Sequence, residues 1–361
     1  MSDLEQILQT AEVVVCCGSG GVGKTTTAAA LGLQAAHLGR RCVVVTIDPA
    51  KRLADALGVP GGLTNDPVQL PVGDGTGELW ALMLDTASTF DGLVIANAAD
   101  DEQATRILTN GFYRNIAGRL GGTQEYMAAE RLLALHVDAR FDLVIVDTPP
   151  TRNALDFLDA PRTLARFIDH PVFKLMMMPT RRGMRVLSLA AQPLLKTIGR
   201  VIGTEVLADA VAFFQAFDGM QGGFRHRADE VIDLLHGDGT RFVLVASPRV
   251  DTIDEARFFA GRLVDKDLEV AAVIVNRATP DFGAPHGRRS KDPDKAALHD
   301  NQAELHARSI GEHEHVAPLV ADTGREPVWV PLLASDVHDV VALSEIRALL
   351  FAGSPAAPVS R

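Results

Sequence analysis

Lys24 and Thr25 end the run Gly18-Ser19-Gly20-Gly21-Val22-Gly23-Lys24-Thr25, which matches GxxxxGK[ST]. An apolar stretch, Val13 to Cys17, precedes it, and an alanine-rich stretch beginning at Thr25 follows. Strand, glycine loop and helix in that order predict a nucleoside triphosphate site. The glycines let successive backbone N–H groups face inward as an anion nest, and the helix adds the positive end of its dipole. In that arrangement Lys24 reaches the β- and γ-phosphates, and the Thr25 hydroxyl serves Mg²⁺.

Two carboxylates close apolar runs elsewhere. Asp147 ends LVIVD, as a Walker B aspartate does, and suits Mg²⁺ held through water, because that ion keeps much of its hydration shell. Asp48 ends the second apolar run, in TIDPAKRL. It is a candidate to orient the attacking water, or else a cap for the short helix that follows. Lys51 and Arg52 are phosphate-contact or solvated positions. After VAAVIV the chain reads Asn276-Arg277-Ala278-Thr279, without the Asp of the guanine-reading [NT]KxD motif. A side-chain amide can both donate to and accept from an adenine edge, so ATP is preferred to GTP.

These residues need an open α/β sheet, whose ligands bind at the carboxyl ends of the strands. Apolar runs at 13–17, 41–47, 79–84, 142–146, 242–246, 270–275 and 328–331 alternate with helical patterns, including 25–38, 253–264 and 337–350. This predicts a mostly parallel sheet flanked by helices. The stretches 88–140 and 155–237 read as helical throughout and form a helical subdomain. The nucleotide domain then comprises 1–87, 141–154 and 238–352. A loop is expected over 58–77 and a mobile one over 278–295, with a disordered tail at 353–361.

With 361 residues, 47% hydrophobic and a net charge of −11, the chain is an ordinary globular protein and not a nucleic-acid coat. With two Trp and two Tyr it lacks a stacking platform for single strands. Cys16, Cys17 and Cys42 lie in predicted strands without metal-ligand spacing, so neither zinc nor an iron–sulfur cluster is expected. The polar start MSDLEQILQT is not a signal peptide, and no apolar run approaches a membrane span. A cytoplasmic location is expected.

GSGGVGKTTTAAALG, TIDPAKRL, DLVIVDTPPTRNALDFL, VIVNR and VPLL, in that order, resemble the arsenite-pump and tail-anchored-protein-targeting ATPases, P-loop enzymes with a deviant Walker A motif. The resemblance implies a dimer that closes on ATP and opens after hydrolysis. It implies that Gly18, Gly20, Gly21, Val22, Gly23, Lys24, Thr25 and Thr26 cradle the phosphates, that Asp48 lies in switch I, and that Asp147 begins switch II. Asn276 would bind adenine, with Pro331 and Leu332 beside the base.

Departures from the family pattern are informative. The family's deviant motif carries a lysine after its first glycine, which reaches the partner's phosphates; here that residue is Ser19. Arg52 or Arg152 could substitute, the chain could pair with a lysine-bearing paralogue, or hydrolysis could be slow; the heterodimer is the favoured expectation over a homodimer. Switch II has Arg152 where the targeting members have a flexible glycine. The zinc-clamping CxxC and the arsenite-binding cysteine triad are missing, which argues against both zinc and arsenite.

In the targeting members the helical subdomain forms a groove for an apolar client. Here the stretch Arg162 to Arg185, with Leu164, Met176, Met177, Met178 and Met184, and a second concentration at Val206, Val211, Phe213, Phe214 and Phe217 are either such a groove or ordinary core. The expected role is a nucleotide-switched ATPase acting on a protein client or partner. The alternatives are the catalytic subunit of an anion efflux pump for a species other than arsenite, with a membrane-protein partner, or a partition-type ATPase.

Overall fold

A computed structural model describes residues 3–48, 52–116, 123–149, 156–169, 204–217, 219–334 and 336–352. By its internal contacts the chain divides into two compact units. One comprises Met1–Met83, Leu135–Leu155 and His236–Arg361, the other Leu84–Ala134 and Asp156–Leu235.

The first unit is built on an eight-stranded sheet. Its strands are β1 (Val13–Cys17), β2 (Arg41–Thr46), β3 (Val68–Leu70), β4 (Glu78–Met83), β5 (Leu143–Asp147), β6 (Thr240–Ala246), β7 (Val270–Ala278) and β8 (Val328–Pro331). They lie in the order β3-β4-β2-β5-β1-β6-β7-β8, all parallel except β3, which runs antiparallel to β4. The sequence reading missed β3, because three residues between Gly-, Pro- and Asp-rich flanks are too short to show alternation. Strand β1 is buried at all five positions, as a central parallel strand covered on both faces must be.

Register decides what meets at the carboxyl edge. Cys16 of β1 and Thr46 of β2 both pair with Asp147 of β5. Three strand ends thus finish level, directly below the glycine loop.

The helices of this unit are α1 (Asp3–Thr10), α2 (Lys24–His37) and α3 (Arg52–Ala56), and, after those of the second unit, α11 (Val250–Val264), α12 (Pro293–Thr323) and α13 (Val340–Phe351). Helix α2 is lined with small residues because it presses on the sheet. A Cβ on Gly32 would come 2.6 Å from a methyl of Val44. Helix α1, absent from the sequence reading, buries Leu4, Ile7 and Leu8 at helical spacing. At its C-terminal end, Arg40 donates to the carbonyls of Leu8, Gln9 and Ala11.

Helix α12 corrects the expectation of a loop through Lys295. The chain is irregular over 279–292, then turns helical for 31 residues. Asp292 caps α12 by accepting from the amides of Asp294 and Lys295, Pro293 starts it, and left-handed Gly324 ends it. Those cap residues were readable. The apolar periodicity was not, because the helix buries few side chains, among them Ala296, Ser309, Val316 and Leu319.

The second unit contains α4 (Thr86–Asn97), α5 (Asp101–Leu108), α6 (Gly111–Ile116), most of α7 (Thr123–His136), α8 (Asp156–Asp169), α9 (Thr204–Ala216) and α10 (Gln221–His236). Its core joins Leu93, Val94, Ile107 and Met127 to an aromatic chain. The rings of Phe213 and Phe217 are 5.6 Å apart, and those of Phe217 and Phe224 are 4.8 Å apart. Phe213, Phe214 and Phe217 are therefore buried in this core, Val211 is half-buried, and the side chain of Val206 lies outside the described residues. The methionine-rich stretch 176–184 lies outside the described residues.

Candidate functional site

The loop between β1 and α2 bends as only glycine allows. Gly18, Gly21 and Gly23 have φ of 150°, 75° and 91°. A Cβ on Gly18 would meet the Val245 carbonyl oxygen at 2.0 Å, so this turn lies hard against β6. Gly23 stands at the N-cap of α2 without a capping side chain, which leaves the first amides of the helix open to an anion.

Lys24 folds back over the loop and donates to the Ser19 carbonyl at 2.7 Å. Burial holds its ammonium below the usual lysine range, while the charges of Asp147 and Asp48 pull in the opposite direction. Ser19 is 4% exposed, and its hydroxyl has no hydrogen-bond partner.

Asp147 is 1% exposed. Its Oδ2 accepts from Thr25 Oγ1 at 2.8 Å and from Thr46 Oγ1 at 2.9 Å, while Oδ1 is buried without a partner. Burial raises its pKa to about 6, against the pull of the Thr25 and Thr46 hydroxyls and of Lys24. A carboxylate buried with an orphaned oxygen beside a loop threonine fits a divalent cation. Thr25 and Asp147 are the residues that would hold Mg²⁺, Thr25 through its free lone pairs and Asp147 through a water ligand.

Asp48, 7% exposed, lies just beyond the end of β2. Its backbone N–H donates to Thr46 Oγ1 at 3.2 Å, and its Oδ2 accepts from Arg52 Nη1 at 3.3 Å. Arg52 is the neighbour one helical turn on and thus pairs with the carboxylate expected to orient water. Arg152 lies outside the described residues. Thr148, just after Asp147, donates through its hydroxyl to the Cys16 carbonyl at 2.7 Å.

At the other end of the cleft, Asn276 Nδ2 donates to the Val22 carbonyl at 2.9 Å. Its Oδ1 accepts from the backbone N–H of Arg277, a residue in the left-handed region with φ of 61°. The amide is therefore fixed in orientation, with one N–H and one lone pair left over. That remainder matches the N7 acceptor and N6 donor of adenine.

A cleft of about 890 Å³ joins these groups. Gly21, Gly23, Lys24, Thr25, Thr26, Asp48, Arg52, Asn276, Pro331 and Leu332 all line it. Gly18, Gly20, Val22 and Asp147 are not in its wall; Gly18, Val22 and Asp147 act from behind, through the backbone and hydrogen bonds described. The cleft also runs past Gly58, Val59 and Pro60 and past Asp336, Val337 and His338, none of which the sequence reading singled out. Thr46 was missed as well. Its signal was a hydroxyl two residues before a strand-end aspartate, which means nothing until the register with Asp147 is known.

Cys16, Cys17 and Cys42 are buried in β1 and β2 as free thiols. Burial pushes the Cys17 thiol up to about 12 and raises the other two as well. Among the described residues, no group of three or more His, Cys, Asp or Glu side chains is placed to hold a metal, and no helix is long and apolar enough to cross a membrane.

The sequence model of the anion-transporting ATPase family matches residues 11–295. Among similar proteins, "ATPase ASNA1 homolog" of Entamoeba dispar is 25% identical over 77% of this chain and 80% of its own. "Putative arsenical pump-driving ATPase 1" of Aquifex aeolicus is 23% identical over 95% of this chain and 79% of its own. "ATPase get3" of Schizosaccharomyces pombe is 25% identical over 76% of each. The family match begins just before β1 and covers the glycine loop, both strand-end aspartates and Asn276. The chain belongs to the anion-transporting ATPase family.

Proposed function

We propose that this protein is a Mg²⁺-dependent ATP hydrolase that works as a nucleotide-switched dimer on a protein client or partner. The observation that carries the reading is the convergence of Lys24, Thr25, Asp48 and Asp147 at the carboxyl edge of β1, β2 and β5. Phosphoryl transfer asks a protein mainly for positioning and charge stabilisation. The glycine loop and the open amides of α2 receive the phosphates. Lys24 exchanges the Ser19 carbonyl for the β- and γ-phosphates. Bound Mg²⁺ supplies charge neutralisation on the phosphate oxygens. Asp48 orients the water in line with the γ-phosphate once Arg52 is drawn away from it. Asn276 reads adenine, with Pro331 and Leu332 beside the base.

The dimer and the client are supported by membership of the family together with the resemblance to the targeting ATPases. Pairing with a lysine-bearing partner rests on the resemblance alone: Ser19 stands where the family's deviant motif has a lysine, and a serine brings no charge to a partner's phosphates. Release of inorganic phosphate from ATP, compared between the wild type and Lys24→Ala, tests the enzyme. Native mass determination of complexes purified from the source cell tests the partner. A wild type that neither binds nor hydrolyses MgATP would overturn the reading.

A second reading, the catalytic subunit of an anion pump, draws on the Aquifex aeolicus relative, whose match spans 95% of this chain. The buried thiols offer arsenite no exposed ligand set. Recovery of a membrane channel in the same purification would favour this reading.

A further inference from the structure

We propose that Thr46 is a positioning residue for hydrolysis. Its hydroxyl hangs the main chain of Asp48 from the carboxylate of Asp147, and so couples the residue that orients water to the residue expected at the Mg²⁺ site. The inference rests on the ATPase reading above.

Thr46 is 1% exposed, so water does not compete for its hydroxyl. A hydroxyl has one proton, and this one goes to Asp147 Oδ2 at 2.9 Å. Its lone pairs then face the amide of Asp48, which donates at 3.2 Å. The result is a one-directional chain, amide to hydroxyl to carboxylate, in which each bond polarises the next. A carboxylate at the end of such a chain makes the hydroxyl bond the stronger, charge-assisted kind.

The neighbouring amide shows why this tie is special. Ile47 N–H donates to the Asp147 backbone carbonyl at 3.0 Å. Two successive amides of the β2 end are thus anchored on one residue of β5. The Ile47 tie runs between main chains and stays with the sheet. The Asp48 tie runs through the Asp147 side chain and follows it when Thr25 and Asp147 rearrange around ligand. Of these two ties, the second is the one that responds to what the Asp147 carboxylate holds, and so links the phosphate end of the site to the water end.

The test uses the full chain with Thr46→Val, which keeps the volume and loses the hydroxyl, and Thr46→Ser, which keeps the hydroxyl. Thr46→Ala serves if the valine variant does not fold. Thr46→Val is expected to lower kcat about tenfold or more with KM for MgATP held within about threefold, and Thr46→Ser to recover most of the loss. In the nucleotide-free protein, amide hydrogen exchange of the peptide carrying Thr46 to Asp48 should speed up about tenfold in Thr46→Val and not in Thr46→Ser. The exchange arm needs no catalysis, so a wild type without ATPase activity would count against the enzyme reading alone. Unchanged exchange together with unchanged kcat in Thr46→Val would overturn the role of Thr46. So would a loss of kcat that Thr46→Ser fails to recover, since that would mark a packing role only.

Discussion

Thr25 Oγ1 donates a 2.8 Å hydrogen bond to Asp147 Oδ2, across 122 positions of sequence. One residue opens the first helix after the glycine loop, and the other closes a strand on the far side of β1 from β6. Their contact brings two separate motifs together at one cleft.

Removal of either member should abolish Mg²⁺-dependent turnover. Thr25→Ala and Asp147→Asn are each expected to lower kcat for MgATP by about a hundredfold or more, the scale of losing one preorganised electrostatic element. A titration of ATPase rate against Mg²⁺ checks this, and a rate within threefold of wild type would contradict it.

Asp147 also makes the site pH-dependent. Its folded pKa is about 6, raised by burial from an unfolded value of 3.8. Between those values the folded state binds more protons than the unfolded one, so its ionisation costs the nucleotide-free protein stability as pH rises. The cost grows from about pH 4 to about pH 6 and is constant above. The stability difference between wild type and Asp147→Asn, measured by denaturant unfolding, should therefore shift in favour of Asn over that window and level off above it. A cation at the site favours the ionised form, so the apparent Mg²⁺ affinity of the wild type should rise through the same window.

Gly18 is the tightest point of the loop. Gly18→Ala drives a methyl into the Val245 carbonyl and forces a left-handed φ, so about 3 kcal/mol or more of destabilisation is expected. Thermal unfolding checks it; a loss under 1 kcal/mol would show that the loop can shift away from β6.

Ser19 should behave in the opposite way. Its carbonyl, and not its hydroxyl, receives Lys24, and the hydroxyl is buried without a partner. Ser19→Ala is expected to raise stability by about 1 kcal/mol and to leave ATP affinity within twofold. Ser19→Lys tests whether a cation at this position contributes to hydrolysis, as the dimer reading proposes. An unchanged ATPase rate, alone and with a partner chain, would remove any weight from this position.

In the helical unit, Phe213 belongs to the aromatic core. Phe213→Ala should cost about 3–5 kcal/mol, as truncation of a buried phenylalanine does. A stable variant with impaired client capture would instead put Phe213 on a binding surface.

The linear sequence determined the class of fold and pointed to an ATPase. GxxxxGK[ST] between an apolar run and an alanine-rich helix has one common use, and strand-end aspartates at 48 and 147 are local features that spacing reveals. The long helix over 293–323 was half-legible, since its Asp-Pro start and Gly stop stood in plain view while its polar surface hid the period. Tertiary structure decided what register and long-range packing control. Cys16, Thr46 and Asp147 finish level only because three strands pair in one alignment, and strand pairing is set by the whole sheet. It is that alignment which made Thr46 a partner of Asp147. A separate long-range contact turned Asn276 onto the glycine loop, and helix packing within the second unit sent Phe213 and Phe217 inward.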